Sequence, residues 1–227
     1  MPDSQSFNRP RPVQQNFPPA DIAGALAAHG IHVDQAALAR LNKYDVLLLK
    51  WQKAINLVGP TTLEDRANRH FLDSVQLIRY LPSTDVTLVD IGSGAGFPGL
   101  VLAMLGVRDV HLVESDIRKA TFLREVSRET SLPVTIHDRR VEDCQIEGMQ
   151  VLTARALAPL VDLLGYMYRL SDGRSDTTGL FLKGVQAEAE IAKARKKWEF
   201  DLEAFPSLTE PEAQILRITA LKPKGRT

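Results

Sequence analysis

The stretch Thr87-Leu88-Val89-Asp90-Ile91-Gly92-Ser93-Gly94-Ala95-Gly96-Phe97-Pro98-Gly99-Leu100 decides how this sequence folds. The apolar residues 86–91 predict a buried strand, and residues 100–105 are typical of a packed helix. Glycines between them let the backbone turn sharply and approach a ligand closely, and the helix that follows offers unpaired N–H groups. The stretch therefore predicts a small-molecule site at the end of a strand.

The spacing of the glycines excludes several kinds of site. Leu100 stands where a P-loop needs Lys, and Ile91 stands where a nucleophile elbow needs its first glycine. A dinucleotide fingerprint fits formally from Gly94 to Gly99, but it begins three residues late after the strand. An NAD-dependent oxidoreductase is therefore the weaker interpretation.

The pattern in register with the strand is an acidic residue followed by alternating glycines, namely Asp90, Gly92, Gly94 and Gly96. This pattern is the first motif of methyltransferases that use S-adenosylmethionine (SAM). The competing interpretation is a glycine-rich turn with a purely structural role.

Glu114 ends the next predicted strand, residues 110–114, and follows Gly92 by 22 residues. In doubly wound folds an acid at this place accepts hydrogen bonds from ribose hydroxyls. Because NAD and SAM both contain ribose, Glu114 predicts a nucleoside without deciding which one.

Composition sets limits on the class of protein. A chain of 227 residues with 44% apolar residues can bury one substantial domain plus an appendage. The single cysteine, Cys144, fits a reducing cytoplasm, and we expect neither a secretory signal nor a membrane span. Since 28 basic and 28 acidic residues balance, any RNA-binding surface must be a local patch.

Three segments are predicted. Residues 1–19 contain five prolines and read as a disordered leader. Residues 20–84 predict an N-terminal helical cap, whose helices begin near Asp21, Asp34 and Leu63. Residues 85–227 alternate strands and helices and form the predicted cofactor-binding domain.

The alternation predicts an α/β fold with a Rossmann-like, mostly parallel sheet of seven strands. After the first two strands, we expect strands at residues 133–137, 151–153 and 180–183, and a closing antiparallel pair at 200–205 and 214–221. The intervening helices are expected at 116–130, with Ile117 facing inward, and at 159–170 and 186–198.

The sequence resembles the bacterial 16S rRNA guanine-N7 methyltransferases, the RsmG or GidB family, from about residue 20 to the end. The segments that carry the resemblance are Lys50-Trp51-Gln52-Lys53-Ala54-Ile55-Asn56-Leu57, Arg69-His70-Phe71-Leu72-Asp73-Ser74, residues 90–99 with their Phe-Pro-Gly ending, Glu114-Ser115, Arg118-Lys119, Phe122-Leu123, Arg140-Val141-Glu142-Asp143, Ala154-Arg155-Ala156 and Lys183-Gly184. Two departures are small: Glu114 stands where Asp is common, and Gln52 where Asn is common.

The resemblance implies a class I methyltransferase that moves a methyl group from SAM to N7 of a guanine in 16S rRNA. The substrate would be 16S rRNA or the small ribosomal subunit, and we expect a monomer that needs no metal. N7 carries an exposed lone pair, so alignment suffices and no general base is required. A methyltransferase of another substrate class, or a SAM-binding protein without catalysis, remains an alternative.

Roles can be assigned to single residues. The expected cofactor contacts are Gly92, Gly94, Gly96, Phe97, Glu114, Val141, Glu142 and Arg155, of which Val141 and Glu142 match the family's adenine-flanking segment. Arg155, at the end of the fourth strand, is expected to position substrate or cofactor. The candidates for RNA binding are Arg118, Lys119, Arg139, Arg140 and Lys183.

Other polar residues are interpreted as structural. The histidines show no metal-ligand spacing with one another or with Cys144. The run Lys193, Arg195, Lys196 and Lys197 reads as a solvated helix face that pairs with Glu188 and Glu190. His70 and Asp73 share one face of the last cap helix; we expect them to hold the cap on the domain, with bordering the ligand entry as the alternative.

Overall fold

The computed structural model describes residues 19–225, so the expected leader lies outside the described residues except for residue 19. The strands are β1 (Thr87–Ile91), β2 (Asp109–Val113), β3 (Thr135–His137), β4 (Val151–Arg155), β5 (Thr178–Lys183), β6 (Trp198–Pro206) and β7 (Gln214–Pro223). The α-helices are α1 (Ile22–Ala27), α2 (Gln35–Gln52), α3 (Asp73–Val75), α4 (Gly99–Met104), α5 (Ile117–Thr130), α6 (Leu160–Leu170) and α7 (Ala187–Ala194).

The seven strands form one sheet in the order β3-β2-β1-β4-β5-β7-β6. The first five strands run parallel, and β7 pairs antiparallel with both β5 and β6. The predicted α/β fold with a mostly parallel sheet is confirmed. Because the order in which strands are added to the sheet reverses between β1 and β4, the carboxyl ends of these parallel strands open a crevice at a topological switch point.

An apolar layer covers each face of the sheet, as the side-chain alternation of a buried strand requires. Leu88 belongs to the core that contains α2, α4 and α5, whereas its neighbour Val89 belongs to the core beneath α6 and α7. The N-terminal helices share the first core with the sheet, through residues such as Tyr44 and Phe71. The expected boundary between residues 84 and 85 stays a prediction, since this core crosses it.

An ion pair inside the N-terminal helices fixes how they pack. Asp45 and Arg66 are each 1% exposed, and the carboxylate oxygens of Asp45 accept hydrogen bonds from Nε and Nη2 of Arg66. Asp45 also accepts the backbone N–H of Ala20 at 2.9 Å. Burying both charges is tolerable only because each is paired and hydrogen-bonded, so loss of either partner would destabilise this region.

The cap helix expected to begin near Leu63 is helical without a break only from Arg66 to Tyr80, and it is not one regular α-helix. The structure has a 3₁₀ turn (Pro60–Thr62), a π-helical segment (Ala67–Leu72), the short α3 and a second 3₁₀ segment (Gln76–Tyr80). A π segment widens the helix by one residue per turn, and here the carbonyl of Arg69 accepts a hydrogen bond from a side chain of β4. The irregularity depends on tertiary contacts and therefore has no local sequence signal.

Two further expectations are corrected. Ile117 is the first residue of α5 and is 71% exposed, because Asp116 caps the helix and no preceding turn covers it. The last expected helix ends at Ala194, and Trp198 already begins β6. No helix within residues 19–225 is long and apolar enough to cross a membrane.

Tyr44 of α2 connects the N-terminal helices to the glycine turn after β1. Its ring is fully buried, and its hydroxyl donates a hydrogen bond to the carbonyl of Ala95. The turn is thus held by a residue far from it in sequence.

We expect Tyr44→Phe to lower the free energy of unfolding by about 1–2 kcal/mol, because the buried carbonyl of Ala95 loses its partner. Urea denaturation measures the change. Tyr80→Phe is the matched control: the Tyr80 ring stacks on Phe205 at 4.3 Å, and its hydroxyl makes no hydrogen bond within the described chain. An equal effect of both substitutions would contradict the role of the Tyr44 hydroxyl.

Candidate functional site

The glycine turn after β1 shapes the floor of a crevice. Gly92 and Gly94 have φ angles of +64° and +56°, which side chains other than glycine rarely adopt. A Cβ at Gly92 would lie 2.5 Å from Leu157, whereas a Cβ at Gly94 would find no protein atom nearer than 3.8 Å. The space above Gly94 is therefore open, as a close approach of ligand to backbone requires.

Asp90, the acidic residue of the glycine motif, holds the turn from below. Its buried carboxylate accepts hydrogen bonds from Thr153 Oγ1 of β4 at 2.9 Å and from the Gly99 N–H at 3.2 Å. Burial raises the pKa of Asp90 to about 6, although these hydrogen bonds act in the opposite direction. Asp90 thus ties β1, β4 and α4 together and does not face the crevice.

Glu114, the expected ribose acceptor, directly follows β2. Its two carboxylate oxygens accept the backbone N–H of Gly94 at 2.8 Å and that of Asp116 at 2.7 Å. A carboxylate offers about four acceptor positions, so each oxygen can accept a further donor. Glu114 is therefore positioned by the turn that it stabilises and keeps capacity for a ligand.

Two adjoining cavities open at this edge of the sheet, with volumes of about 820 and 360 Å³. Both are lined by Gly92, Gly94, Lys119, Arg155, Ala156 and Leu157. The smaller cavity adds Glu114, Arg139, Arg140, Val141, Glu142 and Tyr166. The larger one adds Phe97 and Lys183, together with His70, Asp73 and residues of the loop after α2.

The structure therefore gathers most of the predicted site residues at one crevice. Gly96 lines neither cavity, since a Cβ there would lie 2.4 Å from Leu100 in the core. Arg118 also lies outside both cavities and pairs with Asp116 at 3.5 Å. The individual ligand roles of these residues stay predictions.

Arg155, the last residue of β4, reaches from the sheet to the cap. Its Nη1 donates to the carbonyl of Arg69 at 3.0 Å and lies 3.0 Å from His70 Nδ1 and 3.4 Å from Asp73 Oδ2. Nε and Nη2 make no hydrogen bond to any described residue. One nitrogen of Arg155 thus binds the cap, and two remain for a ligand.

Phe97 and His70 stack beneath Arg155. Their ring centroids are 5.2 Å apart, and the guanidinium of Arg155 lies 5.0 Å from the centroid of Phe97. Burial and the charges of Arg155 and Arg69 lower the pKa of His70 to about 3. His70 is therefore neutral at physiological pH and a weak base.

Asp73 belongs both to the cap and to the crevice. Its Oδ1 accepts the hydroxyl of Thr209 at 2.8 Å, while Oδ2 faces Arg155. Burial raises the pKa of Asp73, and the charge of Arg155 and the Thr209 hydrogen bond oppose this shift. The two interpretations of His70 and Asp73 both hold geometrically, since these residues join the cap to the domain and also line the larger cavity.

Sequence reasoning missed the contribution of the connection between β6 and β7. Thr209 and Glu210 line the larger cavity, and Glu210 forms an ion pair with Arg69 of the cap. Tyr44, which contacts the turn from below, was also missed as a site residue. The sequence offers no spacing signal for these residues, because they meet the site only through tertiary packing.

The candidates for RNA binding differ in whether their side chains already bind other described residues of the protein. Lys119 makes no ion pair within residues 19–225, and Arg139 and Arg140 are exposed beside the smaller cavity. Lys183 is only 10% exposed, and its ammonium contacts Glu190 at 2.8 Å and the carbonyl of Ala158 at 2.7 Å. Lys183 is thus already occupied in holding α7 against the end of β5.

Comparison with known proteins identifies the family. The family model of GidB, described as rRNA small subunit methyltransferase G, matches residues 37–216. The chain belongs to this family. The Ribosomal RNA small subunit methyltransferase G of Paramagnetospirillum magneticum is 51% identical over 195 residues, which cover 86% of this chain and 93% of the relative. That of Rhodospirillum centenum is 49% identical, covering 85% and 88%.

Solved structures support the fold. A TehB-like SAM-dependent methyltransferase from Corynebacterium glutamicum superposes with a TM-score of 0.53 at 15% identity, over 78% of this chain and 98% of that one. A ribosomal protein L11 methylase from Lactobacillus delbrueckii gives 0.51 at 18% identity, over 66% and 76%. The GidB-family chain therefore has the class I methyltransferase fold.

In the described part of the chain, no group of three or more His, Cys, Asp or Glu residues is arranged to hold a metal.

The depressed pKa of His70 predicts a dependence of stability on pH. The unfolded chain takes up a proton at His70 as the pH falls through about 6.5, whereas the folded protein does so only near 3. The stabilising contribution is therefore complete above about pH 6.5 and is lost as the pH falls.

We expect the stability advantage of the parent protein over His70→Gln to be about 2 kcal/mol smaller at pH 5 than at pH 8. Chemical denaturation at several pH values measures it. The raised pKa of Asp90 acts in the opposite sense but cancels, because both proteins contain this residue. A constant difference would show that His70 titrates alike in the folded and unfolded states.

Proposed function

We propose that this chain transfers a methyl group from SAM to N7 of a guanine in 16S rRNA. The observation that carries the proposal is the crevice itself: an open glycine turn, an acid at the end of β2 and a cation at the end of β4 in a chain of the GidB family. The relatives bear the name ribosomal RNA small subunit methyltransferase G. We further propose that the protein acts in the cytoplasm and as a monomer.

The residues of the crevice fit SAM. A ligand backbone or carboxylate can approach the open space above Gly94, where no side chain intrudes. Glu114 keeps acceptor capacity for ribose hydroxyls, and Val141 and Glu142 flank the smaller cavity, where an adenine would lie. Arg155 lies between the two cavities, at the junction of cofactor and substrate.

Methyl transfer to guanine N7 requires little of the protein beyond alignment of the reacting groups. When bound, SAM supplies an activated methyl group on a sulfonium. Guanine N7 holds its lone pair free at neutral pH, so the protein need only hold N7 in line with the methyl group and exclude water. A neutral, weakly basic His70 agrees with a site that needs no proton acceptor.

Arg155 is the residue best placed to orient the substrate. Two of its guanidinium nitrogens are free of protein partners, and guanine presents O6 and N7 as neighbouring acceptors. Asp73 and the carbonyl of Arg69 hold the third nitrogen, which fixes the plane of the fork. The same fork could instead bind a phosphate or the SAM carboxylate, and each of these contacts would position the reacting groups.

Incubation with tritiated SAM and 16S rRNA from a strain that lacks the gene tests the proposal. Both deproteinised rRNA and assembled small subunits serve as substrates, and the labelled base is then mapped. We expect label at N7 of a single guanine. Label on protein or small molecules alone, or none with either RNA substrate, would overturn the proposed function.

Gly94→Val should lower SAM affinity by about a hundred-fold or more, because the new side chain fills the open space above the turn. Gly30→Val is the matched control. Gly30 has a similar φ of +63° with no atom within 4 Å of a new Cβ, so it suffers the same backbone strain away from the crevice. Calorimetry should find SAM affinity unchanged in the control, and normal binding by Gly94→Val would exclude this turn as the pocket.

Arg155→Lys should slow single-turnover methyl transfer by roughly ten- to a hundred-fold, since an ammonium keeps the charge near Asp73 but loses the planar fork. Arg155→Ala should also lower the melting temperature, because the carboxylate of Asp73, whose side chain is only 15% exposed, loses its cation. Arg217→Lys, which alters a cation of β7 paired with Glu203, is the control and should retain the parent rate. A parent-like rate for Arg155→Lys would mean that only the charge matters.

A further inference from the structure

Two segments bring six cations together where α7 and β7 end. They are Lys193, Arg195, Lys196, Lys197, Lys222 and Lys224, here called the basic corner, and all six are exposed. The N–H of Lys224 donates to the carbonyl of Lys197 at 2.9 Å, and Lys222 lies opposite Glu199 in the strand register. The backbone thus fixes the two segments side by side.

The charges of the basic corner are poorly compensated. Among residues 19–225, Lys222 is the one member with an ion pair, to Glu199 at 3.0 Å, and Asp201 is the other carboxylate that lines the corner. On α5, by contrast, Arg124 and Arg128 pair with Asp138 and Glu125. Clustered like charges repel one another and create a positive potential that attracts anions, so the basic corner suits an anionic partner.

The expected pairing within α7 does not occur. Glu190 instead contacts Lys183 at 2.8 Å and accepts the N–H of Leu160 at 2.6 Å, and Glu188 forms no ion pair within the described chain. Because α7 ends at Ala194, residues 195–197 leave the helix and turn toward β6. Of the four cations that the sequence predicts on a solvated helix face, only Lys193 therefore lies on the helix.

The part of the basic corner formed by Lys222 and Lys224 lies at the opposite edge of the sheet from the crevice, whereas Lys193 lies one helical turn after Glu190, which lines the larger cavity. β7 continues past the start of β5 to Pro223, since Ile218 pairs with Gly179, whereas Lys183 at the other end of β5 lines the larger cavity. The six residues of β5 separate the two edges by about 20 Å, at about 3.3 Å per residue. A ligand that touches both must be a large molecule.

The corner offers charge but no stacking surface. A groove of about 640 Å³ runs between Arg195, Phe200, Lys222 and Lys224. The rings of Trp198 and Phe200 are each only 6% exposed, and Arg195 covers Phe200 at 4.6 Å from its centroid. Exposed cations without accessible rings suit phosphates, which carry no sequence information, rather than bases.

We propose that the basic corner binds the phosphate backbone of the RNA substrate as a second contact, whose far end at Lys222 and Lys224 lies about 20 Å from the crevice. This inference rests on the proposed function. A second contact so far from the crevice would hold a folded rRNA in place, while the crevice contacts only the target nucleotide and SAM.

The test compares two triple variants that remove the same charge. Lys193→Gln, Lys196→Gln and Lys197→Gln neutralise the basic corner; Arg108→Gln, Arg124→Gln and Arg128→Gln neutralise three exposed, ion-paired cations elsewhere. A second corner variant, Lys222→Gln with Lys224→Gln, tests the same surface independently in case the first variant misfolds. The affinity of each variant for deproteinised 16S rRNA and for small subunits is measured from 0.05 to 0.2 M salt. The affinity for SAM and the single-turnover rate at saturating RNA are measured as well.

Over that salt range, the RNA affinity of the parent should fall about 20- to 40-fold more than that of the corner triple variant, as expected for three lost phosphate contacts. SAM affinity and the saturating rate should match those of the parent, and the control triple variant should bind RNA as the parent does. Equal binding by the two triple variants would overturn the inference while leaving the methylation intact.

Two other outcomes would also overturn it. A loss seen with small subunits but not with deproteinised rRNA would identify an acidic protein surface as the partner. If the parent methylates neither RNA substrate, the proposed function fails, and the inference fails with it.

Discussion

The ring of Phe97 is packed on four sides, and the positions of the cap, the glycine turn and Arg155 depend on it. Tyr44 and His70 stack on it at 5.0 and 5.2 Å, Phe71 meets it edge-on at 5.2 Å, and Arg155 lies 5.0 Å from its centroid. Aromatic pairs contribute about 0.5–1.5 kcal/mol each beyond their buried area, against a total stability of about 5–15 kcal/mol. The cap and the turn therefore cannot move independently without losing several of these contacts.

This packing also controls the charges of the crevice. Burial against Phe97 and the nearby guanidinium groups keep His70 neutral, while Asp73 offsets the charge of Arg155. In the proposed reaction a positive charge moves from the sulfonium to guanine, and a neutral His70 adds no further positive charge to the crevice. The cap thus contributes to the electrostatics of the site as well as to its walls.

The sequence predicts the alternating part of the chain well because the signals there are local. The apolar run before Gly92, the glycine turn and the N-cap of Asp116 fix their elements to within a few residues, and the helical connections between the strands predict a mostly parallel sheet. The π segment before Asp73 has no local sequence pattern, and Arg155, which contacts it through the carbonyl of Arg69, lies 86 residues away in the chain. For the same reason, Thr209 joins the site without any pattern in the sequence.

Pairing of charges is the other point at which local reasoning fails. The spacing of Glu190 to Lys193 suggests an intrahelical pair, but Glu190 instead pairs with the more buried Lys183 at the end of β5, whose ammonium also donates to the carbonyl of Ala158. A partly buried pair is screened less by solvent than an exposed pair on a helix surface. The tertiary contact therefore prevails, and the lysines that it leaves without a partner become available for an external anion.

The order of the strands places different residues on the two sides of the crevice. Glu114 and Val141 follow β2 and β3 on one side of β1, whereas Arg155 and Lys183 end β4 and β5 on the other. A nucleoside bound to the first side leaves its reactive end over Gly94, facing Arg155 and the larger cavity beneath the cap. Since β7 and β6 extend the sheet on that same side, a large substrate that enters the larger cavity must lie along β5 and its antiparallel neighbours. In the proposed assignment, the topological switch between β1 and β4 therefore separates the cofactor side from the substrate side, and the antiparallel end of the sheet lengthens the surface on the substrate side.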